Sequence, residues 1–428
     1  MDTRLTRAFA GNRSYPMKIL WVKHGKLLPV DAGGKIRTYN ILRHLASRHD
    51  VTLISSYSGE QTPEYENELR QHFPKSILVW TGAPEDSDGI FKQGVHYIAR
   101  AGSSVPYAVS KFTTREVQQI VKRQLDTGEF DVAVCDFLAA SLNFPKQLNT
   151  PTVLFQHNVE ASIWLRQAEC EKHWLKKVVF TMEAAKMRRY ETATIKRFHH
   201  VVAVSEIDRK LMTGLDPQSI TVVPTGVDLQ QFRAEDNSPA LSHEVMFLGS
   251  MDWEANVDAV THFCEKIWPR VLSNIPDAKF RIVGRNPHPS VKKLTSDSVE
   301  VTGTVRSVID YLKTATVVVV PLRIGGGTRL KIYEAMAMGK AIVSTTIGAE
   351  GLDVHDGEDI VLSEGPEDFA RQIIRLLRDA AARERLGGAA IRTASKYDWS
   401  VIADRFEIVL RQVSGIPVAG GETVKVTA

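Results

Sequence analysis

PLRIGGGTRLKIYEAMAMGKAIVSTTIGAEGL, residues 321–352, sets three consecutive glycines between an apolar run and a helical pattern. The run ahead of it, TATVVVV, is rich in β-branched residues and reads as a strand buried on both faces of a parallel sheet. Behind the glycines, Leu330, Ile332, Tyr333 and Met336 fall at helical spacings. The segment therefore reads as strand, glycine loop, helix. The free N–H groups and positive dipole end of such a helix attract anions, which points to a phosphorylated ligand. Tight packing between strand and helix is the other reason for glycines at such a place.

The same theme runs through the rest of the chain. MKILWV, DVTLIS, DVAVCD, PTVLFQH and HVVAVSE alternate with helical patterns, and VDAGGKIR forms a second glycine loop after the first of them. A polar segment, RAEDNSPALSH, comes after ITVVPTGVDLQQF and reads as a linker. Beyond it come EVMFLGS, AKFRIVG, VEVTG, ATVVVVPL and KAIVSTT. The expected fold class is α/β, with two Rossmann-like, doubly wound domains at residues 17–225 and 240–395 facing across a cleft. An amphipathic helix at residues 396–413, a segment that contains DWSVIADRFEIVLRQV, is expected to cross back to the N-terminal domain, ahead of a mobile tail.

The 428 residues are 43% hydrophobic and 24% charged, an ordinary globular balance with room for two domains. No apolar stretch reaches the length of a membrane span, and the first sixteen residues lack the apolar centre of a secretory signal. A cytoplasmic protein is expected, with translation starting at Met1 or at Met17, which opens the first strand. Cys135, Cys170 and Cys264 have neither metal nor disulfide spacing and read as reduced. A net charge of +4 gives no argument for nucleic acid but suits an anionic substrate.

The ordered series DAGGKIR, HNVE, HHVVAVSE, VVPTGVD, VMFLGSMDWEANVDA, FRIVG, VTGTV and the opening segment resembles the family-4 retaining glycosyltransferases of the GT-B fold, from Met17 to about Val413. GGGTRLKIYEAMAMG looks like the branch that builds bacterial exopolysaccharide and other surface glycans. The resemblance implies a nucleotide-diphosphate sugar, UDP- or GDP-linked, as donor and a glycan or lipid-linked molecule as acceptor. It implies no cofactor. Gly325, Gly326, Gly327 and Thr328 would present N–H groups to the diphosphate, and Glu334 would accept hydrogen bonds from the ribose. Gly33 and Gly34 would lie opposite the diphosphate, and His157 would hydrogen-bond the donor sugar without acting as general base.

Two departures from the family pattern stand out. The first glutamate of its E-x7-E motif is replaced by Gly326, which leaves the donor sugar without that contact. In FLGSMDWEANVDA, after Gly249, the Arg and Lys that clamp the diphosphate in many relatives are missing, and Ser250, Met251, Trp253 and Asn256 stand there instead. Charge leaving with two phosphates needs cations. Arg329, in the first helical turn, is the expected substitute, with Lys331 and Arg323 as further candidates. The nucleotide base is expected against the loops around Gly284 to Pro287 and Val305.

Asp86 and Asp88 form a D-x-D pair, but they sit in a polar turn and read as a solvated loop, so no metal is expected. Retention without a second carboxylate implies a front-face reaction, in which the leaving phosphate oxygen takes the proton of the attacking hydroxyl. A GT-B-fold nucleotide-sugar epimerase and a non-catalytic nucleotide-sugar-binding protein are the alternatives. Residues 164–200 carry nine Lys and Arg against four Glu, interleaved with Trp164, Trp174, Val178, Val179, Phe180 and Met182. Two readings stand for them: peripheral contact with an anionic membrane, or helices packed on the sheet.

Overall fold

A computed structural model describes residues 15–82, 103–171, 173–212, 220–233, 243–324 and 329–417. The first sheet contains β1 (Lys18–His24), β2 (Asp50–Tyr57), β3 (Ser76–Trp80), β4 (Val132–Asp136), β5 (Thr152–Phe155), β6 (His200–Ala203) and β7 (Ile220–Val222). Its order is β3-β2-β1-β4-β5-β6-β7, with every ladder parallel. The second sheet contains β8 (Glu244–Leu248), β9 (Lys279–Val283), β10 (Val299–Gly303), β11 (Val317–Val320), β12 (Ala341–Ser344) and β13 (Val361–Leu362), in the order β10-β9-β8-β11-β12-β13. These ladders are parallel as well. The central strands are short β-branched runs whose residues are buried on both faces, as a sheet covered by helices requires.

The strand order reverses between β1 and β4 in one sheet and between β8 and β11 in the other. Connections leave in opposite directions at such a point and open a crevice at the carboxyl ends of the strands. The polar clusters of both units lie at these ends.

Two compact units emerge, Met1–Pro224 with Ile402–Ala428, and Thr225–Val401. The division falls inside the last helix, Trp399–Ser414. In the second unit, a Cβ on Gly226 would come within 2.7 Å of the Trp399 ring, and Val227 N donates to Tyr397 O at 2.8 Å. In the first unit, Phe406 packs 5.5 Å from Trp21 and 4.9 Å from Phe155, centroid to centroid. Glu407 holds the buried Arg411 and also contacts His49 and Arg48; burial pulls its carboxyl up, but the hydrogen bonds from His49 and Arg411 and the charge of Arg48 outweigh it and bring it down to about 2.

The sequence reading makes Gly33 and Gly34 part of a loop, VDAGGKIR; the structure starts the first helix at Gly33 and runs it to Ala46. Ile36 N already donates to Ala32 O, so the two glycines form the first turn and are not a loop. A pair of helices, Glu160–Cys170 and Trp174–Arg197, comes after β5. The first has no side-chain cap of its own. Instead the buried Glu191 of the second accepts from the backbone N–H groups of Glu160 (2.9 Å) and Ala161 (3.2 Å), and also from the Gln156 side chain.

In the second unit β8 and β9 end in glycines that touch backbone to backbone. A Cβ built on Gly284 would stand 1.6 Å from Gly249 O, an overlap that no side-chain movement relieves. Gly284→Ala is therefore expected to lower unfolding free energy by about 1–3 kcal/mol or more, as overpacking does. Urea denaturation checks this, and an unchanged midpoint would mean that the two strand ends do not meet in solution.

Candidate functional site

The carboxyl ends of β8 and β9 and the helix Leu330–Ala337 bring together a polar cluster in the second unit. Lys331 extends its ammonium to Asn256 Oδ1 at 3.0 Å and lies 4.3 Å from the centroid of the Phe247 ring. A Cβ on Gly249 would come within 2.7 Å of that ammonium, so glycine is what admits it. Asn256 Nδ2 donates to Ser250 O at 2.8 Å. Arg285 Nε donates to Ser250 Oγ at 3.0 Å, while Ser250 Oγ donates to Asp252 Oδ1 at 2.6 Å. Ser250 and Asn256 are among the positions where the family pattern leads one to expect cations. Each instead holds a cation brought from another element.

Glu334 stands one helical turn from Lys331, on the same face. Burial lowers Lys331 to about 7, assisted by Arg329 and opposed by Glu334. Burial likewise raises Glu334 to about 7, and Lys331 opposes it. Among the described residues no hydrogen-bond donor engages the Glu334 carboxylate, which leaves it available to hydroxyl groups.

The structure places the two helix cations differently. Arg329 is a non-helical N-cap residue (φ −89°, ψ 64°), only 2% exposed, and donates to Ile347 O at 3.3 Å. Lys331 is the cation that reaches the β8 end. Arg323, another candidate, forms a two-point ion pair with Asp258. Gly325, Gly326, Gly327, Thr328, Asp86 and Asp88 lie outside the described residues. Among the described residues no group of three or more His, Cys, Asp or Glu side chains is arranged to hold a metal.

In the first unit His157 closes a buried network at the carboxyl ends of β1, β4 and β5. Its Nε2 lies 2.7 Å from Asp136 Oδ1, and its Nδ1 lies 2.7 Å from the Arg37 guanidinium. Asp136 also accepts from Trp21 Nε1 (3.1 Å) and Thr38 Oγ1 (2.8 Å). Burial lowers His157 to about 4 despite Asp136; for Asp136, burial is outweighed by His157, Lys23 and Thr38 and its carboxyl stays below the usual range. At neutral pH a neutral imidazole therefore donates from Nε2–H to an ionised Asp136 and accepts at Nδ1 from Arg37. The Phe137 ring stacks on the imidazole at 3.7 Å. With both nitrogens engaged by protein and the side chain buried, His157 in this conformation offers no free hydrogen bond to a sugar.

Gly34 also has a packing role. A Cβ there would fall 2.5 Å from Phe137 Cζ. Gly33 and Gly34 open a helix that has neither a side-chain cap nor an acidic residue in its first turn, a polarity suited to an anion. The sequence reading missed Arg37, Asp136 and Arg285. Arg37 lies one turn beyond Gly33, and Asp136 ends the strand next to β1 at the order reversal, a place where a buried carboxylate is a signal.

Residues 32–231 match the family model described as Glycosyltransferase Family 4, and residues 242–379 match that described as Glycosyl transferases group 1. The two units are Rossmann-like, and the fold is of the GT-B class. Sucrose-phosphate synthase from Thermosynechococcus elongatus is similar in structure (TM-score 0.66, 16% identity, 93% of this chain and 99% of that one). So is Anabaena HepE, solved in complex with UDP (TM-score 0.64, 14% identity, 92% of this chain and 100% of that one). In sequence, the phosphatidyl-myo-inositol mannosyltransferase of Mycolicibacterium smegmatis is 24% identical over 334 residues, which are 74% of this chain and 82% of that protein. The chain belongs to the family-4 glycosyltransferases.

Lys331→Met is expected to weaken binding of UDP or GDP at least tenfold, about 1.4 kcal/mol, while leaving the bare nucleoside nearly unaffected. Arg329→Met should have the smaller effect. Lys331 carries its charge below its pKa of about 7 and loses it as pH rises, while Glu334 gains negative charge over the same range. Wild-type affinity for the diphosphate should therefore fall between pH 6.5 and 8.5, and Lys331→Met should flatten that fall. Calorimetry at the two pH values decides; equal losses for nucleoside and diphosphate would assign Lys331 to structure alone.

Proposed function

We propose that the chain moves a sugar from a nucleotide-diphosphate sugar, UDP- or GDP-linked, to a hydroxyl of a glycan or lipid-linked acceptor, with retention of configuration and without a metal. The observation that carries this reading is the convergence of Lys331 and Arg285 on the Gly249–Ser250 turn at the carboxyl ends of β8 and β9. Two cations beside a glycine and an uncapped helix suit a diphosphate, and Glu334 on the same helix suits a ribose. The HepE structure with UDP supports a nucleoside diphosphate as the leaving group.

In the reaction the C1–oxygen bond to the diphosphate breaks and a bond from C1 to the acceptor oxygen forms. The hydroxyl proton passes to the departing phosphate oxygen. Lys331, Arg285 and the helix N-terminus stabilise the charge that develops there, the part a metal plays elsewhere. Glu334 serves the ribose, and Asp136 is fully buried and taken up by Trp21, Thr38 and His157, so a double displacement lacks a free nucleophile among the candidate residues. His157 acts through position: it fixes Arg37 and Asp136 beneath the substrate side of the first unit.

The acceptor reading rests on the Trp174–Arg197 helix. Its later half packs inward through Met187, Thr194 and Ile195, whereas Trp174 is 70% exposed, Met182 53% and Val178 50%. With Thr181, Ala185 and Lys177 these residues line an apolar groove of about 540 Å³. Of the two sequence readings for residues 164–200, packing on the sheet fits the later half and lipid contact the first. Lys176 and Lys177 flank the exposed aliphatic residues and suit anionic headgroups. No helix among the described residues is long and apolar enough to cross a membrane. On this reading the chain works at the cytoplasmic face, held by that surface, in exopolysaccharide or envelope-glycan synthesis.

Labelled UDP- and GDP-sugars incubated with lipid extract and excess chelator are expected to give a glycosylated product whose new linkage keeps the donor's anomeric configuration. An inverted product, or turnover that depends on added magnesium or manganese, would sink the mechanism. Sedimentation should show salt-sensitive binding to anionic vesicles and none to neutral ones, reduced by Lys176→Glu with Lys177→Glu. If neither vesicle type retains the protein, the acceptor is soluble.

A further inference from the structure

The crevice at the β1–β4 order reversal contains a second imidazole, and it differs from His157 in one respect. The β1–β4 ladder ends at the pair Lys23 and Asp136, and His24 is the first residue of β1 beyond it. Its Nδ1 is buried without a hydrogen-bond partner, and among the described residues its ring makes no hydrogen bond at all. Phe112 lies 4.4 Å from the His24 ring and Phe137 5.6 Å from it, centroid to centroid. Lys23, itself buried, turns its ammonium to His24 O at 3.0 Å.

Phe137 holds a backbone conformation (φ 72°, ψ 150°) that is nearly restricted to glycine. That strain places its ring between His157, Gly34 and His24. Strain in a bulky residue at a strand end, beside an unsatisfied imidazole, is the pattern of a ligand site and not of a packed core.

We infer that His24, walled by Phe112 and Phe137, is the residue of the first unit that hydrogen-bonds a hydroxyl of a sugar ring. The inference rests on the transferase reading only in taking that ring to be the acceptor's. An imidazole kept neutral both donates and accepts, and a sugar hydroxyl does the same. Burial and the neighbouring Lys23 lower His24 to about 3 against the opposing pull of Asp136, so it is neutral at every physiological pH. The aromatic rings suit the C–H faces of a pyranose. His157, the imidazole singled out by sequence, is already committed to Asp136 and Arg37.

The test uses the full chain with three probes, the methyl α-glycosides of glucose, galactose and mannose, monitored by saturation-transfer NMR. At least one should bind the wild type, and His24→Phe, which keeps a ring against Phe112, should weaken it at least tenfold. Melting temperature and affinity for UDP or GDP should be unchanged. If His24→Phe proves unstable, His24→Gln and His24→Leu replace it: Gln should stay within threefold of wild type and Leu should lose tenfold. Equal glycoside binding in wild type and variants, or no binding of any probe to the wild type, overturns the inference. Nucleotide binding reports separately on the second unit. A chain that binds a glycoside through His24 but neither UDP nor GDP would sink the donor reading and leave this one standing, and the reverse result would do the opposite.

Discussion

The first unit depends on one carboxylate. Asp136 has no exposed surface, and a charge so placed persists only where donors surround it. Those donors come from different elements: Trp21 from β1, Thr38 from the first helix, His157 from the segment after β5. The neighbouring of β1 and β4, the docking of the Gly33–Ala46 helix and the tautomer of His157 are thus tied together at a single side chain. Breaking a buried arrangement of this kind costs about 3–5 kcal/mol, a large share of a domain's stability. The Phe137 strain is tolerated because this network and Gly34 leave its ring one place to go.

The second unit is organised by a close approach of backbones in place of a buried charge. Gly284 against Gly249 lets the ends of β8 and β9 touch, which brings the Arg285 side chain over Ser250 and leaves room for the Lys331 ammonium beside Asn256. A Lys at position 256 would have occupied that space from the near side. The short polar residues Ser250 and Asn256 and the long cations Arg285 and Lys331 are therefore two halves of one arrangement, and neither half explains itself alone.

Much of the fold was legible in the sequence, because runs such as VVVV in β11 and AIVS in β12 are short, β-branched and bounded by turn residues. The start of the first helix was not, since Gly33 and Gly34 carry no helical signal and take helical geometry from residues 35–46 behind them. The site was legible in outline only. Glu334 and Lys331 could be read from a helical repeat, but that Lys331 extends to the β8 end while Arg329 donates to Ile347 O depends on the helix beginning at Leu330 and leaving Arg329 as a non-helical cap. Arg37 and Asp136 gain their meaning from His157, 120 and 21 residues away, and no local pattern records such distances.

The borrowed cap on the Glu160–Cys170 helix has a consequence for how that region comes apart. An ordinary helix frays at its first turn at almost no cost to its neighbours, but here the first N–H groups are held by Glu191 from the middle of another helix. Unwinding one end therefore strands a buried carboxylate on the other helix. The two helices are therefore expected to exchange with solvent as one cooperative block, and because Glu191 also holds Gln156, that block is anchored one residue from His157. A pull on the exposed aliphatic surface around Trp174 would act on the two helices together, and through Gln156 on the residue next to His157.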